Sequence, residues 1–409
     1  MNILLINQHA GTPDYGMEFR PYYMGKEWSQ RGHKVIIVAA SFSHLRKKQP
    51  SSCSESIDGM KYSWVKVNSY NGNGIPRILA ISRFVTKLYF YYKKYLGDFV
   101  PDIVIASSTH PLDIYPARRI AHHYGAKLIY EVHDLWPLTP MEIGGYSPKH
   151  PFIRVMQNAE NKCYQSADAV VSMLPNAESH MREHGLTAGK FNYIPNGIVT
   201  EDWENSCNSL PKQHEELFNH LKEENKFIVG FAGNHGIANS LYAAIDAVAP
   251  LACKDIVFVL TGTGPEKEKL IAYTEKNKIS NVFFLPAVEK RYIPSLLSQM
   301  DVLYIGLQRE SLFRFGISPN KLFDYMMAGK PVVQAIDAGN NIVGDAGCGL
   351  CAEPDNSKEI GQAILTLKEI LPEERKKMGE NGRSYVLKNH TYSVLAEKFI
   401  NVMKKVLGE

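Results

Sequence analysis

Asn2-Ile3-Leu4-Leu5-Ile6-Asn7 is a short apolar run that ends in a polar loop, and Arg31-Gly32-His33-Lys34-Val35-Ile36-Ile37-Val38-Ala39-Ala40 is a second such run introduced by a turn. The segment between them has a helical pattern. Strand, loop, helix, turn and strand make a βαβ unit, so the chain opens as a parallel α/β layer. The loop after the first run holds Gly11 and Gly16, which let backbone approach a ligand at the carboxyl edge of the sheet.

Further apolar runs at residues 60–67, 102–106, 127–132, 169–173 and 191–194 continue this sheet. Residues 202–226 lose apolar periodicity and become charged, as a linker does. Runs at 227–232, 256–261, 282–285, 302–307 and 331–336 then start a second layer, most of them followed by helical patterns. With 409 residues the chain exceeds one ordinary core. The expected fold is α/β, with two Rossmann-like, doubly wound parallel-sheet domains: residues 1–205, and residues 206–390 facing them across a cleft. A last amphipathic helix, about residues 391–409, is expected to cross back to the first domain.

The six cysteines are scattered, which argues for reduced thiols. Cys348 and Cys351 form a single C-x-x-C with no second pair, so no metal is assigned and the pair reads as a buried strand entry. No apolar run is long enough for a signal-peptide core or a membrane span, so a cytoplasmic location is expected. Residues 1–205 hold 22 Lys and Arg against 18 Asp and Glu, while the remainder balances at 24 each. That excess is too small for general nucleic-acid binding but suits a local anionic partner.

Within the first half, residues 77–96 carry five basic residues, no acidic ones and a run of Phe and Tyr. Arg83, Lys87, Tyr91, Tyr92, Lys93 and Lys94 there suit a membrane headgroup layer, with an amphipathic core helix as the competing reading.

Four stretches carry chemistry. In Gly316-Ile317-Ser318-Pro319-Asn320-Lys321-Leu322-Phe323-Asp324-Tyr325, Ser318 is placed to cap a helix whose first turn holds Pro319. The Lys321 ammonium and the first N–H groups then face a phosphate, with Asp324 one turn on for a sugar diol, as a nucleotide sugar requires. The competing reading is a capped surface helix with a local Lys–Asp ion pair. Loops Gly233-Asn234-His235-Gly236 and Gly262-Thr263-Gly264 follow apolar runs and offer backbone donors to a diphosphate. In the first half, His133-Asp134 ends a strand run; His133 is the catalytic candidate and Asp134 its orienting partner. Serine-hydrolase, zincin and P-loop motifs are missing from the sequence.

The set of loops resembles the GT-B glycosyltransferases of family 4 through almost the whole chain. The resemblance is carried by Arg31-Gly32-His33-Lys34-Val35, His133-Asp134-Leu135-Trp136-Pro137, Pro195-Asn196-Gly197 and Asp324-Tyr325-Met326-Met327-Ala328-Gly329-Lys330-Pro331-Val332. Lys321-Leu322-Phe323-Asp324-Tyr325 further resembles the branch that includes N-acetylfucosaminyltransferases of O-antigen and capsule assembly. The resemblance implies a retaining, metal-independent transfer from a nucleotide sugar, with no cofactor. It places His133 by the donor sugar, Asp324 on the ribose, and Lys321 with the Asn320 and Leu322 backbone on the diphosphate. Val288 meets the base, Gly16 closes on the phosphates, and Asn196, Gly233 and Asn234 complete the donor loops.

Two departures stand out: Gly316 occupies the position, eight residues before Asp324, where the family often has an acid, and Ala238, Asn239 and Ser240 stand where Arg and Lys are common. Lys321 then carries more of the phosphate charge, with Arg314. The implied partners are a UDP-sugar, a polyprenyl-diphosphate-linked saccharide acceptor and a membrane surface on the cytoplasmic side. A non-hydrolysing nucleotide-sugar epimerase and a non-catalytic nucleotide-sugar or membrane-docking protein are the alternatives.

Overall fold

The computed structural model describes residues 1–16, 19–72, 74–204 and 209–409, so part of the expected linker, residues 205–208, lies outside the described residues. The chain divides into two compact units, Met1–Asn196 with Tyr392–Glu409, and Gly197–Thr391.

The first unit is built on an eight-stranded sheet. Its strands are β1 (Asn2–Ile6), β2 (Lys34–Ala40), β3 (Ser54–Ile57), β4 (Met60–Val65), β5 (Ile103–Ala106), β6 (Lys127–Val132), β7 (Ala169–Ser172) and β8 (Phe191–Tyr193), in the order β3-β4-β2-β1-β5-β6-β7-β8. All neighbours are parallel except β3 and β4. Leu4 of β1 pairs with Ile36 on one side and Val104 on the other, and all three are buried. Burial on both faces explains why these strands read as continuous apolar runs rather than alternating ones. The sequence pattern missed β3, whose SESI has no apolar run because it forms an exposed antiparallel edge.

The second unit holds β9 (Phe227–Ala232), β10 (Ile256–Thr261), β11 (Val282–Leu285), β12 (Val302–Gly306), β13 (Val332–Ala335) and β14 (Gly349–Ala352), all parallel, in the order β11-β10-β9-β12-β13-β14. In each sheet the chain reverses its direction of growth beside the first strand, at β1/β5 and at β9/β12. The carboxyl ends of strands at such switch points are where open α/β sheets hold ligands.

The helix over residues Ile75–Leu96 forms as expected. Its buried residues, Ile81, Phe84, Leu88, Tyr92 and Leu96, recur at three- and four-residue spacing and face the sheet, while Ile75, Ile78, Leu79, Phe90 and Tyr91 are exposed. Tyr92 is therefore corrected from a membrane-contact residue to a core residue: it is 6% exposed and packs on His123 and Tyr124. Helical spacing puts it on the opposite side from Phe90, with a local break in helical geometry at Tyr91. The Tyr392–Leu407 helix belongs to the first unit, where Phe399 packs edge-on against Trp28. Among the described residues, no helix is long and apolar enough to cross a membrane.

Candidate functional site

In the second unit, the loops after β9, β10 and β11 meet around a pocket of about 230 Å³ lined by Gly233, Asn234, Gly262, Thr263, Ala287 and Val288 among others. Two glycines make this possible. A Cβ built on Gly262 would lie 1.9 Å from the Gly233 carbonyl oxygen, and one on Gly264 would lie 2.5 Å from three atoms of Asn234 and His235. Any side chain at either position would push the two loops apart.

The helix beside this pocket is Asn320–Met327. It starts one residue later than the sequence implied: Pro319, with extended ψ, takes the capping position and makes no side-chain capping bond of its own. Tyr325 fixes its orientation, since the phenol accepts from Ala232 N–H at 2.8 Å and lies 3.1 Å from the Ala232 carbonyl. Lys321 then reaches back to the β9 loop. Its Nζ donates to Asn239 Oδ1 and lies 4.7 Å from the centre of the Phe231 ring, and Asn239 in turn donates to the Asn234 carbonyl at 2.9 Å. Burial holds the Lys321 pKa down to about 8.

Asp324 is half-buried, and burial raises its pKa to about 7, opposed by Lys290 and reinforced by Asp202. Lys321 and Asp324 form no ion pair with each other among the described residues, which removes the main support for a self-satisfied surface helix.

The other donor-side candidates divide. Asn320 is exposed at the first helical position, and Arg314 is exposed on a single 3-10 turn, stacked 4.3 Å over Phe315 and donating to the Ser311 carbonyl. Leu322 is corrected: its side chain is fully buried in the unit's core and its N–H donates to the Pro319 carbonyl, so the first turn has already used that donor. His235 was missed as a site residue. It is buried beside Gly262, and burial, with Lys267 and Lys321 nearby, holds its pKa down to about 4, so it is neutral at pH 7.

In the first unit His133 follows β6, with Nε2 2.9 Å from Ser107 Oγ and 3.4 Å from Glu131 Oε2. Ser107 donates to Glu131 at 2.6 Å, and Arg20 donates from Nε to the same carboxylate at 2.9 Å. Arg20 also donates to the Ile194 and Pro195 carbonyls, which ties this network to the segment carrying Asn196. Burial pushes the Glu131 pKa up, but Arg20 and His133 outweigh it and leave the carboxyl well below its usual range.

Asp134 does not orient His133. It accepts from Leu135 N–H, Trp136 Nε1 and Thr139 Oγ1, and so shapes the following loop. His133 instead meets Ser107 and Glu131, and Glu131 was visible in the sequence as an acid inside the apolar run Lys127–Val132. Gly16 has a positive φ of 102°, and a Cβ there would meet Lys47 N at 3.0 Å. It is held against the 46–47 segment by the Lys47 N–H to Tyr15 carbonyl bond.

The expectation of no metal is corrected. Glu160, His180 and His184 each bring one ligand atom to within 4.8 Å of the others, a set able to hold a cation.

Two parallel α/β units with ligand-type loops at their strand ends define the GT-B class. Residues 15–202 match the model for Glycosyltransferase Family 4, and residues 212–385 match that for Glycosyl transferases group 1. The chain is thus a GT-B-fold protein related to the family 4 and group 1 glycosyltransferases.

Among relatives, it is 26% identical over 213 residues to the glycosyltransferase TuaH of Bacillus subtilis (strain 168), named for teichuronic acid biosynthesis, covering 51% of this chain and 50% of that one. It is 23% identical over 263 residues to WcaI of Escherichia coli (strain K12), named for colanic acid biosynthesis, covering 61% and 63%. The chain thus spans between half and two thirds of the curated relatives it matches. In structure it is similar to sucrose-phosphate synthase of Thermosynechococcus elongatus (TM-score 0.74, 16% identity, 100% of this chain and 99% of that one). It is also similar to Anabaena HepE in complex with UDP (TM-score 0.69, 17% identity, 99% and 100%).

Proposed function

We propose that the protein is a retaining glycosyltransferase that moves a sugar from a nucleotide sugar to a lipid-linked saccharide during bacterial surface-polysaccharide synthesis. The observation that carries this reading is Lys321: a half-buried cation at a helix start, beside a glycine-lined pocket, held by a neutral amide rather than by a carboxylate. Burying a cation without a counter-charge is costly. An incoming diphosphate supplies that counter-charge through charge-assisted hydrogen bonds.

In this reading residues 206–390 bind the donor and residues 1–205 the acceptor. Val288 and Ala287 flank the base, Asp324 takes the ribose hydroxyls, and the Gly233-Asn234 backbone, Lys321, Arg314 and the exposed Asn320 share the diphosphate. Gly16 and Asn196 border the donor from the first domain. His133, set by Glu131 and Ser107, stands beside the donor sugar, and Asp134 maintains the loop that follows it. UDP is the nucleotide we favour, by likeness to HepE. The sugar is an N-acetylated hexosamine or deoxyhexosamine, and the acceptor a polyprenyl-diphosphate-linked saccharide, both by the resemblance to the N-acetylfucosaminyltransferase-like branch.

The Ile75–Leu96 helix would rest on the inner face of the cytoplasmic membrane through Ile75, Leu79, Phe90 and Tyr91, with Arg83, Lys93 and Lys94 at headgroup level. A groove of about 490 Å³ lined by Leu79, Arg83 and Lys87 lies along it. Lys87 is half-buried and donates to the Lys66 carbonyl, so its charge is partly committed to the protein.

The test is a panel of UDP-, GDP- and dTDP-sugars, read first by thermal stabilisation and then by nucleoside diphosphate release with lipid-linked saccharides. Stabilisation by one nucleotide class and acceptor-dependent release support the reading. Nucleotide binding without transfer to any acceptor would overturn it.

A further inference from the structure

We propose that Glu160, His180 and His184 form a divalent-metal site of the zinc type that clips the Glu178–Glu183 helix onto the Pro151–Ser166 helix. Four residues of the longer helix, Gln157, Glu160, Asn161 and Tyr164, fall at three- and four-residue spacing and so share one face. His180 and His184, four residues apart, meet that face. The three candidate ligand atoms lie within 4.8 Å of one another, and His180 Nε2 is already 3.3 Å from Glu160 Oε1. A tetrahedral zinc with bonds of ~2.0–2.2 Å keeps its ligand atoms roughly 3.3–3.5 Å apart, so closing the site takes only a small side-chain shift.

The chemistry of the set favours a cation. Glu160 is 1% exposed, and among the described residues no Lys or Arg stands within ion-pair distance of it. A buried carboxylate is costly unless compensated, and a dication compensates it fully. Two imidazoles and one carboxylate suit zinc or its first-row neighbours and leave a fourth position for water.

Outer groups that orient the ligands are also in place. Gln157 Nε2 donates to Glu160 Oε2 at 2.7 Å, the Tyr164 hydroxyl donates to Glu160 Oε1 at 3.0 Å, and His184 Nδ1 lies 3.0 Å from Asn161 Oδ1 and 2.9 Å from Gln157 Nε2. The Glu178–Glu183 helix has six residues, too few to hold itself, so a tie to its neighbour has structural value. The site is a fastening within the first unit and takes no part in the proposed transfer.

The experiment uses the full chain, stripped with chelator, reloaded with Zn²⁺ and desalted. Metal content, melting temperature and the visible spectrum of the Co²⁺ form are then recorded. The expected result is one retained equivalent, a higher melting temperature, and the intense bands of tetrahedral Co²⁺. His184→Ala, at a half-buried position, should weaken retention by more than the ~10–100-fold that losing an outer-shell group costs. Glu160→Gln, which keeps the side-chain shape, should do the same, with circular dichroism confirming the fold of each. His220→Ala, at an exposed histidine elsewhere, should bind as the wild type does. The proposal is overturned if the wild type retains no metal, or if His184→Ala and Glu160→Gln retain as much as it does.

Discussion

The candidate sites of the two units spend their charged side chains in opposite ways. In the first, Arg20, Glu131, Ser107 and His133 close on one another, and both members of the ion pair are 2% exposed. In the second, Lys321 faces an amide and Asp324 is not its partner, so burial holds the Lys pKa down to about 8 and the Asp pKa up to about 7. Charge in the Arg20–Glu131 network is settled internally and fixes a geometry. Charge at Lys321 and Asp324 is left under tension, as a ligand site would require.

The comparison breaks most visibly at Glu131. Glu131→Ala leaves Arg20 buried without its counter-charge and should cost about 3–5 kcal/mol of stability, measurable by urea denaturation. A loss no larger than that of an ordinary surface substitution would mean the network is not as closed as described. Lys321→Met should do the reverse, leaving the stability of the nucleotide-free protein unchanged or raised, because a strained cation is replaced by an apolar chain of similar length. A drop in melting temperature comparable with that of Glu131→Ala would erase the contrast between the units.

Proton linkage sharpens it. The raised pKa of Asp324 means the folded state holds a proton that the unfolded state has lost, so this group's contribution to stability falls as pH rises from about 4 to about 7. The lowered pKa of Lys321 has the opposite sign, and stability climbs from about pH 8 to about pH 10.4. With Asp324 on the ribose and Lys321 on the diphosphate, as proposed, donor binding would need the ionised carboxylate and the charged amine together. Its affinity should therefore rise through about pH 7 and fall above about pH 8, and Asp324→Asn should flatten the acid limb alone. A profile with no acid limb in the wild type would remove Asp324 from the ribose. The smallest expected effect on the fold is at Phe90 and Tyr91. Phe90→Ser with Tyr91→Ser should reduce binding to anionic liposomes while changing stability by only about 0.5 kcal/mol per site. Unfolding would instead assign these aromatics to the core.

Most strands were legible because a strand buried on both faces is an unbroken apolar run, as in IVIA of β5 and FIVGFA of β9. The edge strand β3 had no such signature. At the site, the sequence pointed to Lys321 and the glycine loops through helix-start and turn chemistry. It misassigned Leu322 and the orienting role of Asp134, because which backbone N–H is already bonded, and which way a carboxylate turns, depend on tertiary contacts. Tyr92 misled because charge and aromatic content describe a helix while only its phase says which aromatics face inward. The Glu160, His180 and His184 cluster joins two helices across β7, a proximity that spacing along the chain does not announce.

The role of Lys321 as the diphosphate-binding cation is tested most directly by calorimetric titration of UDP and UDP-sugars into the wild type and Lys321→Met near pH 7.5. The wild type should show a single saturable site, weakened in the variant by about 1.5–3 kcal/mol, the worth of a charged hydrogen bond. Equal dissociation constants for the two proteins would contradict it.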